Sequence, residues 1–94
     1  MRDGKVYVGN TGTLISLNTE ISLSDASLVQ ILILKPDGSN VTWTGLAVGP
    51  NIQYITIAGD IDQPGTWFLQ ASVQKSSGTL SGETVPLYIY PAFN

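Results

Sequence analysis

Apolar and polar side chains alternate most regularly over residues 66–74. Trp67, Leu69, Ala71 and Val73 share one parity, and Thr66, Gln70, Ser72 and Gln74 share the other. That period of two predicts a strand with one buried face and one wet face. Phe68 is the exception, an aromatic on the wet side. Gly59-Asp60-Ile61-Asp62-Gln63-Pro64-Gly65 precedes the strand as a glycine-flanked acidic turn and sets the point at which Trp67 enters the core.

Taken in order, residues 5–8 predict a short first strand, halted by Gly9-Asn10-Thr11-Gly12, whose residues tolerate positive φ. Residues 13–18 predict a second, with Ile15 and Leu17 inward and Leu14, Ser16 and Asn18 outward. The interruption between the two fits a bulge in one edge strand equally well. Residues 19–27 mix turn formers with Ile21 and Leu23 and are expected to form a connection whose two apolar residues plug the end of the core. Residues 28–34 are apolar on both parities and β-branched at Val29, Ile31 and Ile33, which marks a central strand.

Lys35-Pro36-Asp37-Gly38 predicts a chain reversal, since proline fixes φ at the first corner and Asp-Gly supplies the positive-φ closure of a hairpin. Residues 40–45 return as the paired strand, with Val41 and Trp43 on one face. Residues 45–50 are expected to be a connection, and residues 51–58 a strand of open register, Ile52 and Tyr54 competing with Ile55 and Ile57 for the inner face. Lys75-Ser76-Ser77-Gly78 reverses the chain again. Residues 83–91 form the last strand, with Val85, Leu87 and Ile89 inward and Pro86, Tyr88 and Tyr90 outward; Pro86 cannot donate a ladder bond and belongs at an edge or facing out. Residues 1–4 and 92–94 read as loose ends.

About seven short strands, with turns every 8–12 residues and no helical period, predict an all-β antiparallel sandwich. The 94 residues suit one domain, residues 1–94, with a single core. The chain has no cysteine and no histidine, which removes disulfides, thiolate nucleophiles and the commonest metal ligand, and with them most hydrolase and zinc chemistry. No enzyme activity and no cofactor are expected. A formal charge of −3, with Arg2, Lys5, Lys35 and Lys75 as its cations, leaves no basic stripe for phosphates, so nucleic acid is not an expected partner. The longest apolar runs, residues 31–34 and 87–90, are far short of a membrane span, and no apolar leader is expected at the start. Charged residues are 12% of the chain against the usual quarter, so the exposed faces are expected to be largely uncharged, as surfaces that pack within assemblies are.

Two candidate sites follow. Asp60 and Asp62 could offer two carboxylates to a calcium ion, but fuller calcium loops carry four or five oxygen donors in register, and backbone N–H groups of the turn are the simpler partners. The same pair is a poor glycosidase couple, because a tight turn lacks a cleft and offers no burial to raise one pKa. Phe68, Tyr88 and Tyr90 are outward by parity and form an aromatic patch if their strands are neighbours; Leu32 and Leu34 raise the same question, placed by this reading on the facing sheet. Either these five residues meet a partner or a loop covers them. Trp43 and Trp67, on the inward parity, are expected in the core.

Lys35-Pro36-Asp37-Gly38, the turn of residues 59–65 with Thr66-Trp67, and Glu83-Thr84-Val85-Pro86-Leu87-Tyr88-Ile89 occur in an order that resembles the small immunoglobulin-like β-sandwich proteins of tailed bacteriophages. These include the N-terminal domain of baseplate upper proteins and sandwich proteins associated with long tail fibres. The resemblance covers residues 6–90 and is carried by turn and core residues. It implies an immunoglobulin-like sandwich and a non-enzymatic virion component of a tail, baseplate or fibre junction. Such a component is made soluble in the host cytoplasm, sits in several copies and contacts other virion proteins. Baseplate upper proteins continue into a fibre-like or receptor-carrying part, whereas this chain stops at Asn94, which favours an adaptor over a receptor binder. The rival reading is a carbohydrate-binding module whose exposed aromatics stack on host-surface glycans.

Overall fold

A computed structural model describes residues 5–92. The expectation of loose ends at residues 1–4, 93 and 94 lies outside the described residues, while Ala92 is exposed beyond the last strand. Eight strands follow one another with no helix among the described residues: β1 (Val6–Tyr7), β2 (Leu14–Asn18), β3 (Leu28–Leu34), β4 (Asn40–Thr44), β5 (Leu46–Val48), β6 (Asn51–Ile55), β7 (Gly65–Lys75) and β8 (Gly78–Tyr90). They form a five-stranded sheet in the order β1-β8-β7-β3-β4 and a three-stranded sheet in the order β2-β6-β5. One cluster of buried side chains lies between them, with Ile15, Leu17 and Ile52 from the small sheet and Ile31, Ile33, Trp43, Trp67, Leu69 and Ile89 from the large one.

β7 follows the alternation that predicts it: Trp67, Leu69, Ala71 and Val73 are buried and Phe68 is exposed. β3 is central, between β7 and β4, with Val29, Ile31 and Ile33 inward. The turn after it closes with Gly38 at φ 89° and Lys35 N donating to Ser39 O at 2.9 Å. In β6 the competition resolves by pairing. Ile52 and Tyr54 face the core with Thr56 beyond them, and Ile55 and Ile57 face out.

Several expectations are corrected. β1 runs parallel to β8, so the large sheet is mixed rather than antiparallel throughout. β1 and β2 are not one bulged edge strand, because the chain crosses from one sheet to the other at residues 9–13. The expected connection over residues 45–50 contains strand β5. Gly45 makes the corner between sheets: a Cβ there would lie 2.7 Å from Ile52 Cγ2 and 2.8 Å from the Gln53 carbonyl, so only glycine admits this approach. Leu23 plugs the core as expected, but Ile21 is exposed.

The last strand begins at Gly78, not residue 83. A bulge shifts its register, with Gln70 opposite Thr84 but Ser72 opposite Ser81, and Gln70 Nε2 braces it by donating to Gly82 O at 2.9 Å. The bulge swaps parity, so that Leu80 faces inward before it and Val85, Leu87 and Ile89 after it. Ile89 is fully buried, yet Val85 is 42% exposed: it has the inward parity, but the small sheet does not extend over it.

Candidate interaction surfaces

The two turns singled out by sequence dock on each other. Lys35 Nζ donates to both carboxylate oxygens of Asp62 at 3.0 Å and sits 5.2 Å from the centroid of the Trp67 ring. Trp67 Nε1 donates to Gln63 O at 3.1 Å, and Asp37 N donates to Gln63 Oε1 at 3.2 Å. Gly65, at φ 122°, lies so close to Pro36 that a Cβ would fall 2.8 Å from the ring Cγ. The Ser39 hydroxyl and N–H, both donating to Asp37 Oδ1, hold its carboxyl down to about 2.

Asp60 and Asp62 therefore have separate partners. Asp60 Oδ2 accepts from the Tyr54 hydroxyl at 2.6 Å and from Ile57 N at 2.9 Å, while Asp62 is engaged by Lys35. Burial first, and then the Asp60 carboxylate, push the Tyr54 phenol up to about 12. Neither carboxylate is aimed at a shared point, and among the described residues no three acidic, histidine or cysteine side chains are grouped as a metal site. Asp60 accepts a backbone N–H of its turn, as expected, whereas Asp62 accepts from the Lys35 ammonium instead.

This clamp launches β7 between β3 and β8, and the pairing then collects the exposed apolar residues. Leu34 lies opposite Phe68, Phe68 opposite Pro86, Leu32 opposite Gln70, and Tyr88 opposite Thr66. Leu32, Leu34, Phe68, Tyr88 and Tyr90 thus share the outer face of one sheet; the placement of the two leucines on a facing sheet is corrected. Strand order is a tertiary fact that parity does not carry. Leu32, Leu34 and Phe68 rim a shallow depression of about 340 Å³ with Thr42 and Thr84. Tyr88 packs edge-on against Tyr90, centroids 4.7 Å apart with planes at 82°, and Tyr90 is half-buried, with Tyr7 beside it at 5.6 Å and Lys5 Nζ 5.1 Å above its ring. No loop of the described residues covers Phe68 or Tyr88, which are 42% and 49% exposed. The outward residues at 66–74 and 84–90 carry no charge.

A second apolar face was missed in the sequence. On the outer side of the small sheet Leu14, Leu46, Val48, Ile55 and Ile57 are all exposed, Leu46 by 74%. The register places Leu14 opposite Ile55, Leu46 opposite Gln53 and Val48 opposite Asn51. The signal was the alternation Leu46-Ala47-Val48, hidden because glycines flank it. Trp43 is in the core as expected, stacked on Tyr54 at 4.7 Å with planes 13° apart. No helix among the described residues is long and apolar enough to cross a membrane. Compared with protein-family profiles, characterised proteins and solved structures, the chain finds no match.

Proposed function

We propose that the chain is a non-enzymatic structural module with an immunoglobulin-like sandwich plan, acting through protein–protein contacts at a virion tail, baseplate or fibre junction and present in several copies. The observation that carries the contact role is the outer face, uncharged at the outward residues of 66–74 and 84–90, on which Leu32, Leu34, Phe68, Pro86 and Tyr88 lie side by side. The virion setting rests on the order of the turn motifs in the sequence. Soluble monomers seldom leave such contiguous apolar patches open, and aromatic anchors at the centre of an uncharged patch are what interfaces use. The edge-on packing of Tyr88 and Tyr90 gives no coplanar pair of rings for a sugar, which favours protein over glycan as the occupant.

Burying the remaining exposed part of Phe68 and Tyr88 contributes about 2 kcal/mol each at ~25 cal/mol per Å². Replacing both with serine should leave the fold intact, at a cost of about 1–2 kcal/mol for the cross-strand contacts of two half-exposed rings. It should weaken association by roughly a thousandfold. Light scattering at rising concentration, and recovery of partners from virions, read that loss. A wild-type chain that stays monomeric and recovers no virion partner refutes the proposal, and selective binding on a glycan array would replace it with the carbohydrate reading.

A further inference from the structure

Among the described residues, the side of the molecule between β2 and β8 lacks a strand: three strands face five, β2 is an edge of the small sheet, and none lies above the inner side of β8 from Leu80 to Val85, which are 46% and 42% exposed. A cleft of about 360 Å³ opens there, with Ala71 and Gly82 as its floor and Leu17, Glu20, Glu83 and Val85 around it. It continues past Val73 and Leu80 as a smaller hollow of about 230 Å³.

The backbone of β2 is open along this cleft. Thr56 N donates to Thr13 O at 3.0 Å and Thr19 N donates to Pro50 O at 2.9 Å, which fixes the phase of the ladder between them. Thr13, Ile15, Leu17 and Thr19 therefore bond to β6, whereas Leu14, Ser16 and Asn18 turn their backbone N–H and C=O groups to the free edge. No proline, lysine or bulge protects residues 14–18, the usual means of blunting an edge. The flanking charges are both negative. Among the described residues neither Glu20 nor Glu83 has a cationic partner, while Lys35 and Lys75 are held by Asp62 and Asp25.

We infer that this cleft accepts one extended strand from another polypeptide, apolar on one face and bearing lysine or arginine, which pairs with the free edge of β2. Its apolar side chains cover Leu80, Ala71 and Val85, and its cations meet Glu20 and Glu83, so that main-chain bonds give affinity and the acids give selectivity. A second copy of this chain is a poor donor, since its four cations are outnumbered by seven acids and its strands carry no alternation of apolar and basic residues. The inference is independent of the outer-face contact, which lies on the opposite side of the large sheet.

Fluorescence anisotropy on the full chain tests it with a labelled heptapeptide of alternating valine and lysine, against the same peptide with glutamate for lysine. The lysine peptide is expected to bind saturably, about tenfold more tightly than the glutamate peptide, the effect of two partly exposed charge pairs. The double variant Glu20→Gln, Glu83→Gln should remove that preference. Amide exchange by NMR gives the signature of strand addition: the Ser16 and Asn18 amides slow on binding, while those of Ile15 and Leu17, already bonded to β6, stay as they were. No saturable binding up to millimolar peptide, equal binding of the two peptides, or binding that leaves the Ser16 and Asn18 amides unprotected would each overturn the inference. So would protection of those amides that rises with protein concentration alone, which would make a second copy the occupant.

Discussion

Removing Asp62 should destabilise the protein more than removing Lys35, although the two make one ion pair. The asymmetry follows from exposure. The Lys35 side chain is 9% exposed and that of Asp62 is 45% exposed. In Asp62→Ala a nearly buried ammonium loses both oxygen acceptors and keeps only the face of Trp67, 5.2 Å from its ring centroid. In Lys35→Met the half-exposed carboxylate is rehydrated and the stem over Trp67 is replaced by one of similar volume. Breaking a fully buried pair costs about 3–5 kcal/mol and a surface pair at most about 1, so a half-screened pair lies between them. Asp62→Ala should therefore cost about 2 kcal/mol, and Lys35→Met about 1 or less. At roughly 4–8 °C per kcal/mol, the first lowers Tm by about 8–15 °C.

Urea unfolding followed by the fluorescence of the two tryptophans, both buried, measures these differences at constant m. The double variant should be no less stable than Lys35→Met alone, because the stranded charge has gone. Equal losses in the two single variants, or a loss in Asp62→Ala within about 0.5 kcal/mol of wild type, the range of ordinary surface substitutions, would refute the reasoning. The clamp would then be an exposed ion pair of no consequence, and docking of the two turns would rest on Pro36, Gly65 and Gln63.

Gly65→Ala tests that docking directly: its φ of 122° and the 2.8 Å approach to Pro36 Cγ should together cost about 2–4 kcal/mol, read as a fall in urea midpoint, and a neutral effect would mean the turns are not in contact. Gly45→Ala should cost about 2 kcal/mol through the Ile52 methyl and the Gln53 carbonyl, with differential scanning calorimetry as the check. Tyr54 should ionise late, near pH 12, and Tyr54→Phe should abolish that step in an absorbance titration. Its pKa is raised in the fold from 10.0 to about 12, so the stability it contributes is complete below pH 10 and is lost as pH rises through about 12.

What the sequence disclosed depended on whether a feature was local. The alternation of β7, the turn at Lys35-Pro36-Asp37-Gly38 and the buried tryptophans were legible because each is written in a handful of consecutive residues. Leu80 and Val85 were not recognised as one inner face because the bulge between them inverts parity, and a period-two reading restarts at residue 83. Val85 shows a second limit. Parity tells which way a side chain points, but whether anything covers it depends on how far the other sheet extends. The same gap separated Leu32 and Leu34 from Phe68 in the sequence, although pairing of β3 with β7 puts Leu34 directly opposite Phe68. The parallel pairing of β1 with β8 has no sequence signal at all, since both directions share one side-chain alternation.

The apolar surface left open by the fold limits the ways in which two copies of the chain could meet. The two outer faces point away from each other, because the inner faces share one core. One carries aromatics and leucines; the other carries only aliphatic side chains, Leu14, Leu46, Val48, Ile55 and Ile57. A single convex partner cannot cover both. Because the faces differ in chemistry, a two-fold contact through either one joins like to like and closes as a dimer, whereas one face against the other joins unlike patches and propagates into a ring or a stack. Charge does not prevent either arrangement, since most of the protein's acids lie in turns and loops: Asp37, Asp60 and Asp62 in the docked turns, Glu20 and Asp25 in the connection after β2. The clamp that holds Asp62 also launches β7 from Gly65, and so sets where Phe68 emerges between Leu34 and Pro86. The acidic turn thus acts on the outer apolar face through the position it gives Phe68.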